Sequence, residues 1–407
     1  MTMSSTHVES LTTSVPALEA KRVVQVYRRA PLVVTHGRGV YLYDSDGREY
    51  LDLISGVGVA SLGHANPELA RIVAEQAQVL LHCSNLFFHP LQGQVAERLA
   101  KLSGLSRAFF CNSGAEAVEA CLKFARRYWY TKGNRERTEI LAMEGDFHGR
   151  TLGALSTTWH YREPFEPLVP NVRFVPMNAA ALREAVTDKT AAIILEPIQG
   201  EGGVRPLSQE LANVVTEMCK RTGTLLIADE VQCGLGRTGH AFYFQNLELK
   251  PDLVPVGKAL AGGVPMGAAL LKEEVAAAIA FGDHGSTFGG NLLACRAALV
   301  CLDQLSAGLI EHVKETGAHL EGRLHEMQKK YPAIVEIRGA GLMWGIELNT
   351  DAAPVHEAAI RQGVLVNRTA ETVIRLLPPL IITKAELDRA LGLLDAAFSE
   401  VFAGVTI

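Results

Sequence analysis

The sequence lacks an apolar run long enough to cross a membrane, which takes about 18 to 20 residues. Its longest apolar stretch, residues 292–302, is short and contains Arg296. The first ten residues are polar and lack the basic-then-apolar order of a secretory signal. A mitochondrial transit peptide is rich in arginine and poor in acidic residues, yet the first arginine is Arg22 and a glutamate already stands at Glu9. These absences predict a soluble, cytoplasmic protein.

Cysteine is scarce and shows no pattern. The seven cysteines form neither a CxxC pair nor a metal-ligand spacing, so we expect reduced thiols and no metal site. Cys233 lies in a motif described below, where a packing role is the simpler interpretation. The chain also lacks a GxGxxG pattern followed by an acid at the right distance, which disfavours a nicotinamide-dependent dehydrogenase.

Charge of one sign is not in large excess. The chain has 39 basic and 44 acidic residues and a net charge of −5, which argues against a nucleic-acid-binding surface. It is 48% hydrophobic and 20% charged, as folded globular proteins are. A chain of 407 residues is too long for one simple core, so two lobes are expected.

Short apolar runs alternate with helical or loop stretches in the middle of the chain. The predicted strands are 107–111, 140–143, 172–175, 191–195, 224–228 and 253–256. Such alternation predicts a mainly parallel sheet covered on both faces. Ligands of these sheets lie at the carboxyl ends of the strands.

The two ends of the chain have a different character. Residues 1–20 are expected to be a loose polar leader, and Asp46-Gly47 predicts a hairpin within residues 40–53. Beyond about residue 302 an α+β lobe is expected. The other predicted helices are 67–81, 91–102, 292–305, 310–330, 356–362 and 384–402, and the other strand-like stretches are 334–348 and 373–376.

Two polar motifs follow predicted strands. Residues 112–116, NSGAE, open a helix, where free backbone N–H groups and the helix dipole suit a phosphate; capping by Asn112 or Ser113 explains them equally well. Asp229 and Gln232 end another strand. A carboxylate there can keep a pyridine nitrogen protonated, or it can be an ordinary acidic loop residue.

Two further motifs are rich in glycine. Lys258 follows a strand and is flanked by small residues, so desolvation can lower its pKa toward nucleophilic use; a solvated surface lysine is the alternative. Residues 285–291, GSTFGGN, can bind a phosphate or form an ordinary turn.

The order and spacing of these motifs resemble the class III aminotransferases, which are pyridoxal-phosphate enzymes of fold type I. The resemblance runs from about residue 33 to the end. It rests on NSGAEAVEA, FHGRT, EPIQGEGGV, ADEVQCGLGRTG, GKALAGGVPMGA, HGSTFGGN and RLLPPLII.

The resemblance implies an α/β fold whose large domain has a mainly parallel seven-stranded sheet, joined to a smaller α+β domain. Residues 1–64 are expected to contribute to the small domain, residues 65–302 to form the large cofactor-binding domain, and residues 303–407 to form the C-terminal small domain. It also implies a homodimeric enzyme of arginine biosynthesis.

The resemblance assigns roles around pyridoxal 5'-phosphate. Lys258 is expected to bind the cofactor covalently and to move the proton at the substrate carbon. Asp229 is similar to the partner of the ring nitrogen, Gln232 to the side chain that meets the ring's 3-oxygen, and Phe147 to the residue stacked on the ring. A non-catalytic relative would have lost Lys258 or Asp229, and both are present.

Four residues are expected to hold the phosphate. Ser113, Gly114 and Ala115 resemble its cradle, and Thr287 resembles a hydroxyl that reaches the phosphate of the neighbouring subunit. The resemblance therefore implies active sites that two subunits share.

Three further residues are expected to bind substrate. Arg150 resembles the arginine that grips the carboxylate of ornithine-like donors. Glu201 and Arg375 resemble a paired switch: Glu201 masks Arg375 while the donor reacts, and then moves so that Arg375 binds 2-oxoglutarate or glutamate.

One position of the sequence bears on which amino donor the enzyme uses. LISGVGVASLGHANP and HCSNLF resemble acetylornithine aminotransferases, and relatives that use free ornithine have a tyrosine where this chain has Val57. The absent hydroxyl favours an acylated ornithine as donor. Ornithine, 4-aminobutyrate, acyl-lysine and succinylornithine remain alternatives. His64 and His148 are expected to donate hydrogen bonds rather than to act as acid or base, and Glu196 has no assigned role.

Overall fold

The computed structural model describes residues 5–403, with side chains from residue 14 onward. Its strands are β1 (Val34–Arg38), β2 (Tyr41–Asp44), β3 (Glu49–Asp52), β4 (Arg107–Cys111), β5 (Glu139–Met143), β6 (Val172–Val175), β7 (Thr190–Leu195), β8 (Ile198–Gln199), β9 (Arg205–Pro206), β10 (Leu225–Ala228), β11 (Leu253–Val256), β12 (Gly267–Leu271), β13 (Ile334–Ala340), β14 (Met343–Leu348), β15 (Val364–Leu365), β16 (Asn367–Thr369) and β17 (Val373–Leu376). Its helices are α1 (Ser5–Arg22), α2 (Ser55–Gly58), α3 (Pro67–Val79), α4 (Gln92–Ser103), α5 (Gly114–Thr131), α6 (Leu152–Ser156), α7 (Ala179–Ala185), α8 (Gln209–Thr222), α9 (Tyr243–Asn246), α10 (Glu273–Ala276), α11 (Leu292–Gln304), α12 (Ile310–Lys330), α13 (Ala353–Gln362) and α14 (Lys384–Phe402).

The central sheet has seven strands in the order β4-β12-β11-β10-β7-β5-β6. Strand β12 is antiparallel to both of its neighbours, and the other pairs are parallel. Strand β7 is buried along its whole length, with Ile193 and Leu195 in one hydrophobic cluster and Ala192 and Ile194 in another. Because successive side chains of a strand point to opposite faces, both faces of this sheet are covered. The predicted seven-stranded, mainly parallel sheet is confirmed.

Strand β12 is not among the predicted strands, and its sequence continues the glycine-rich stretch that follows Lys258. Gly267 explains how the strand fits. A Cβ atom at this position would lie 2.2 Å from the carbonyl oxygen of Ser113, so only glycine lets β12 pass beside the turn between β4 and α5. The edge strand β4 therefore pairs with β12, which runs in the opposite direction.

The N-terminal and C-terminal parts of the chain share a sheet of order β1-β2-β3-β15. The predicted hairpin is confirmed as the antiparallel pair β2-β3, and β3 then pairs in parallel with β15, more than 300 residues later. A third sheet has the order β13-β14-β17-β16 and is antiparallel throughout. The division of the chain at residues 64 and 302 stays a prediction.

The loose leader expected for residues 1–20 is wrong from Ser5 onward, where α1 begins; residues 1–4 lie outside the described part of the chain. Residues 5–22 contain no glycine, and the helix continues through Pro16. Within residues 5–403 one helical stretch, residues 292–330, is apolar and long enough to cross a membrane. Half of its most apolar window is buried inside the molecule, as in the core helix of a globular protein.

Candidate active site

A cavity of about 280 Å³ lies at the carboxyl edge of the central sheet. Glu196, Asp229 and Lys258 line it, and they follow directly, or within two residues, the ends of β7, β10 and β11. Of the predicted site residues, those that line this cavity are Gly114, Ala115, Phe147, Arg150, Asp229, Gln232 and Lys258. A larger cavity of about 350 Å³, around Arg127 and Asp283, contains none of them.

Lys258 begins a short 3-10 turn after β11. Its φ of 41° lies in the left-handed region, which residues other than glycine rarely adopt and which is often found at functional sites. Among the described residues its amine has no ion pair and no hydrogen bond. Burial lowers the pKa of Lys258, and the positive charge of Arg375 lowers it further. The amine is therefore more readily neutral than that of an ordinary lysine.

Asp229 is held by two donors. Its Oδ2 atom accepts a hydrogen bond from Nδ1 of His148 at 2.7 Å, and its Oδ1 atom accepts one from the backbone N–H of Val231 at 3.0 Å. Nε2 of His148 lies 3.3 Å from a carboxylate oxygen of Asp146. Burial opposes a charged imidazole, but the nearby carboxylates of Asp146 and Asp229 raise the pKa of His148 to about 10. His148 thus lies buried between the carboxyl groups of Asp146 and Asp229, and Asp146 is a site residue that the sequence analysis missed.

Glu196, which had no assigned role, joins two loops of the cavity. One carboxylate oxygen accepts from the backbone N–H of Phe147 at 2.7 Å, and the other accepts from that of Gly200 at 2.9 Å. Burial and the nearby charge of Asp146 raise the pKa of Glu196 to about 8. Phe147 is therefore fixed at the cavity wall through its own backbone.

The structure brings Arg375 and Glu201 together, although neither lines the cavity. Nη1 of Arg375 lies 2.7 Å from Oε1 of Glu201 and also donates to Oε1 of Gln232 at 3.0 Å. Nη2 donates to Oδ1 of Asn367, and Nε is buried without a partner. Burial opposes the charge of Glu201, but Arg375 lowers the pKa of Glu201 below its usual value. Arg375 is 1% exposed and Glu201 is 31% exposed, so the glutamate is the member of the pair that can move toward water.

Arg150 is exposed and lies at the cavity with no carboxylate within 4 Å in residues 14–403. The central carbon of its guanidinium lies 3.6 Å from the ring centre of Tyr161 and 5.5 Å from that of Phe147. This cation is available to an anionic ligand, whereas Arg375 is masked. Nothing in the sequence pointed to Tyr161.

The start of α5 forms the remaining wall. Ser113 caps the helix, with its Oγ atom accepting from the N–H of Glu116 at 3.2 Å. The N–H groups of Gly114 and Ala115 have no acceptor among the described residues, and they begin a helix of 18 residues. A Cβ atom at Gly114 would lie 2.5 Å from Cγ1 of Val231, so the glycine keeps the helix start close to the cavity floor. This is a suitable anion site.

Thr287 is exposed and does not line the cavity of its own chain. His64 also lies outside the cavity, where its Nε2 atom pairs with Asp52 at 2.7 Å. Cys233 is buried, as the packing interpretation expects, and all seven cysteines are free thiols.

The donor set of the cavity fits pyridoxal phosphate. It offers a desolvated amine at Lys258, a carboxylate at Asp229, free N–H groups at the start of α5 and the aromatic ring of Phe147. The cavity volume is near the lower end of the range for small-molecule sites, roughly 300 to 1,000 Å³. These groups can bind a cofactor that has an amine-reactive aldehyde, a pyridine nitrogen and a phosphate.

Comparison with known proteins agrees with this fit. The family model for class-III aminotransferases matches residues 23–398. The chain is 46% identical to the acetylornithine aminotransferase of Methanocaldococcus jannaschii, over 94% of this chain and 98% of that protein.

Solved structures of two relatives cover nearly the whole chain. The ornithine aminotransferase of Toxoplasma gondii, with pyridoxal phosphate at partial occupancy in its active site, superposes with a TM-score of 0.91 at 32% identity and 99% coverage of both chains. The acetylornithine aminotransferase of Elizabethkingia anophelis gives a TM-score of 0.86 at 30% identity, over 96% of this chain and 99% of that one. The fold is therefore fold type I, and the chain belongs to the class-III aminotransferases, which use pyridoxal phosphate.

Proposed function

We propose that the enzyme transfers the distal amino group of N-acetylornithine, or of a similar acylated diamino acid, to 2-oxoglutarate. The products are the corresponding semialdehyde and glutamate. The observation that supports this most directly is the difference between the two arginines. Arg150 is free at the cavity, and Arg375 is paired with Glu201. A donor that reacts through a distal amine needs a carboxylate site away from the reacting carbon, and Arg150 supplies one.

Each residue has a distinct task in this reaction. Pyridoxal phosphate, when bound, supplies an electron sink for the negative charge formed at the substrate carbon. Lys258 holds the cofactor and moves the proton at that carbon, since its lowered pKa favours the neutral amine. Asp229, held by His148, would keep the pyridine nitrogen protonated. Arg375 binds the carboxylate of 2-oxoglutarate after Glu201 has moved aside.

Val57 supports an acylated donor over free ornithine. It lies in α2, which contacts the 3-10 turn that begins at Lys258, and its side chain packs against the hydrophobic core. Its side chain has no hydroxyl, so it cannot accept a hydrogen bond from a free α-ammonium group. The similarity to the Methanocaldococcus jannaschii enzyme supports the same donor. The solved neighbours include enzymes named for ornithine and for acetylornithine, so the fold alone does not separate the two.

A substrate panel tests this proposal. Acetylornithine, succinylornithine, ornithine, acetyl-lysine and 4-aminobutyrate are each assayed with 2-oxoglutarate. We expect kcat/KM for acetylornithine to exceed that for ornithine by at least about tenfold, because a desolvated α-ammonium group without a hydrogen-bond acceptor costs about 1.4 kcal/mol or more. A higher kcat/KM for ornithine or 4-aminobutyrate would instead assign the enzyme to that donor.

We also propose a cytoplasmic homodimer with shared active sites. Two exposed segments lie side by side: Asn85 donates from Nδ2 to the carbonyl oxygens of Ser286 and Gly289, at 3.1 and 2.9 Å. They carry large exposed apolar side chains around Thr287, namely Leu86, Phe87, Phe88, Phe281 and Phe288. Such a patch is unusual on a monomer and suits a second copy of the chain. The free thiols agree with a reducing compartment.

A charge placed in this patch should break the dimer. Phe88→Asp is expected to shift the molar mass measured by light scattering from that of two chains to that of one, because burying an unpaired carboxylate is costly. Val335→Asp, at another exposed apolar position, is the control and should stay dimeric. A monomeric wild-type protein, or a Phe88→Asp protein that remains a dimer at low concentration, would refute the proposed interface.

A further inference from the structure

Tyr161 and Arg150 form a stacked pair at the mouth of the cavity. The guanidinium carbon lies 3.6 Å from the centre of the tyrosine ring, well within the distance for a cation–π contact. The ring of Phe147 meets that of Tyr161 edge to face, with centres 6.4 Å apart. Tyr161 therefore connects the cavity wall to the free arginine.

The loop that carries Tyr161 is tied to the loop that carries Arg150. Oγ1 of Thr158 accepts from the backbone N–H of His148 at 2.9 Å, and its one proton faces the carbonyl oxygens of Ala154 at 3.0 Å and of Gly149 at 3.2 Å. The backbone N–H of Trp159 donates to the carbonyl oxygen of Asp146 at 2.8 Å. These bonds fix the tyrosine loop relative to the residues on both sides of His148.

The backbone of Tyr161 is itself constrained. Its φ is 72°, a left-handed conformation that is unfavourable for an aromatic residue. Half of the side chain is exposed, so burial of the ring does not explain why a tyrosine stands here. Residues held in this way occur where a side chain must be presented in a particular direction.

We propose that Tyr161 is a positioning residue, which holds the guanidinium of Arg150 in place to receive the carboxylate of the amino donor. This inference rests on the proposed function. An exposed arginine has many rotamers, and fixing one of them costs entropy each time a ligand binds. Stacking on the ring leaves the N–H groups at the edge of the guanidinium free, so that they can meet a carboxylate in a bidentate arrangement. The ring, rather than the tyrosine hydroxyl, does the positioning.

The test compares two donors that differ only in the carboxylate. N-acetylornithine has it, and N-acetylputrescine has a hydrogen in its place. Tyr161→Leu should raise KM for N-acetylornithine about 3- to 10-fold with little change in kcat, and should leave N-acetylputrescine unaffected. Tyr161→Phe keeps the ring and should stay within about twofold of wild type. In an Arg150→Ala background, Tyr161→Leu should have no further effect, as expected for two residues that act together.

Tyr130 offers a matched control. It is 52% exposed, compared with 51% for Tyr161, and Arg135 stacks over its ring at 4.6 Å, away from the active-site cavity. Tyr130→Leu should leave both donors unchanged. If Tyr161→Leu retains the wild-type preference for N-acetylornithine, or loses both donors equally, the positioning role is wrong. A wild-type enzyme that does not distinguish the two donors overturns the carboxylate site of the proposed function and this inference with it.

Discussion

Replacing Lys258 with alanine should slow amino-group transfer by at least about a thousandfold, since the change would remove both the proposed nucleophile and the proposed proton carrier. A positioned acid or base alone contributes about 10² to 10⁴ in rate, and loss of the covalent link adds to this. The cofactor should still bind through its phosphate and ring nitrogen, because the start of α5 and Asp229 are unchanged. Single-turnover absorbance spectra with N-acetylornithine measure the rate.

Lys101→Ala is the control for this experiment. Lys101 is exposed on α4, and among the described side chains it pairs only with Glu97 on the same helix, so its loss should leave the rate unchanged. Circular dichroism checks that both variants are folded. A Lys258→Ala enzyme that retains more than a tenth of the wild-type rate would show that another group carries the proton.

Arg150→Ala and Arg375→Ala should damage opposite halves of the reaction. Loss of one partner from a buried charge pair costs about 2 to 5 kcal/mol, which corresponds to about thirty- to several-thousand-fold. Arg375 is fully buried, so this range applies to its proposed contact with 2-oxoglutarate. Arg150 is exposed, so water screens its contact with the carboxylate of the donor. We therefore expect its loss to slow the half-reaction with the donor by at least about tenfold.

Single-turnover measurements of each half separate the two effects. With Arg375→Ala, the donor should convert the enzyme to its amino form, which 2-oxoglutarate then fails to reverse. With Arg150→Ala, the amino form should build up slowly and be reversed normally. Glu201→Ala should unmask Arg375 and improve glutamate relative to N-acetylornithine as amino donor. Equal losses in both halves for the two arginine variants would contradict the two-site arrangement.

Regular parts of the fold were predictable because local pattern and tertiary structure agree there. The helices at α12 and α14 and the strand at β17 have the predicted bounds, and Asn66 caps α3 by accepting from Glu68 and Leu69. Strand β12 was missed, since its glycine is required by a contact with the distant Ser113 rather than by local sequence. A local sequence pattern cannot indicate that two distant backbone segments lie this close together.

Local sequence likewise predicts only part of the candidate site. The chemistry-bearing residues follow strand ends, so the sequence predicts that Asp229 and Lys258 lie together, and they line one cavity. The groups that support them come from other loops. The loop that contains Asp146 places its carboxylate beside His148. Tyr161 contacts Arg150 and has a backbone φ in the left-handed region. Thr287 is exposed and lies outside the cavity of its own chain, so the task proposed for it would require a second chain.

The claim that Lys258 binds the cofactor is tested most directly by chemical trapping. The wild-type protein is incubated with pyridoxal phosphate, reduced with borohydride, digested and analysed by mass spectrometry. We expect the mass of the reduced cofactor on the peptide that contains Lys258, and on no other lysine. A cofactor adduct on a different lysine, or none at all after full incubation, would contradict the account of the site.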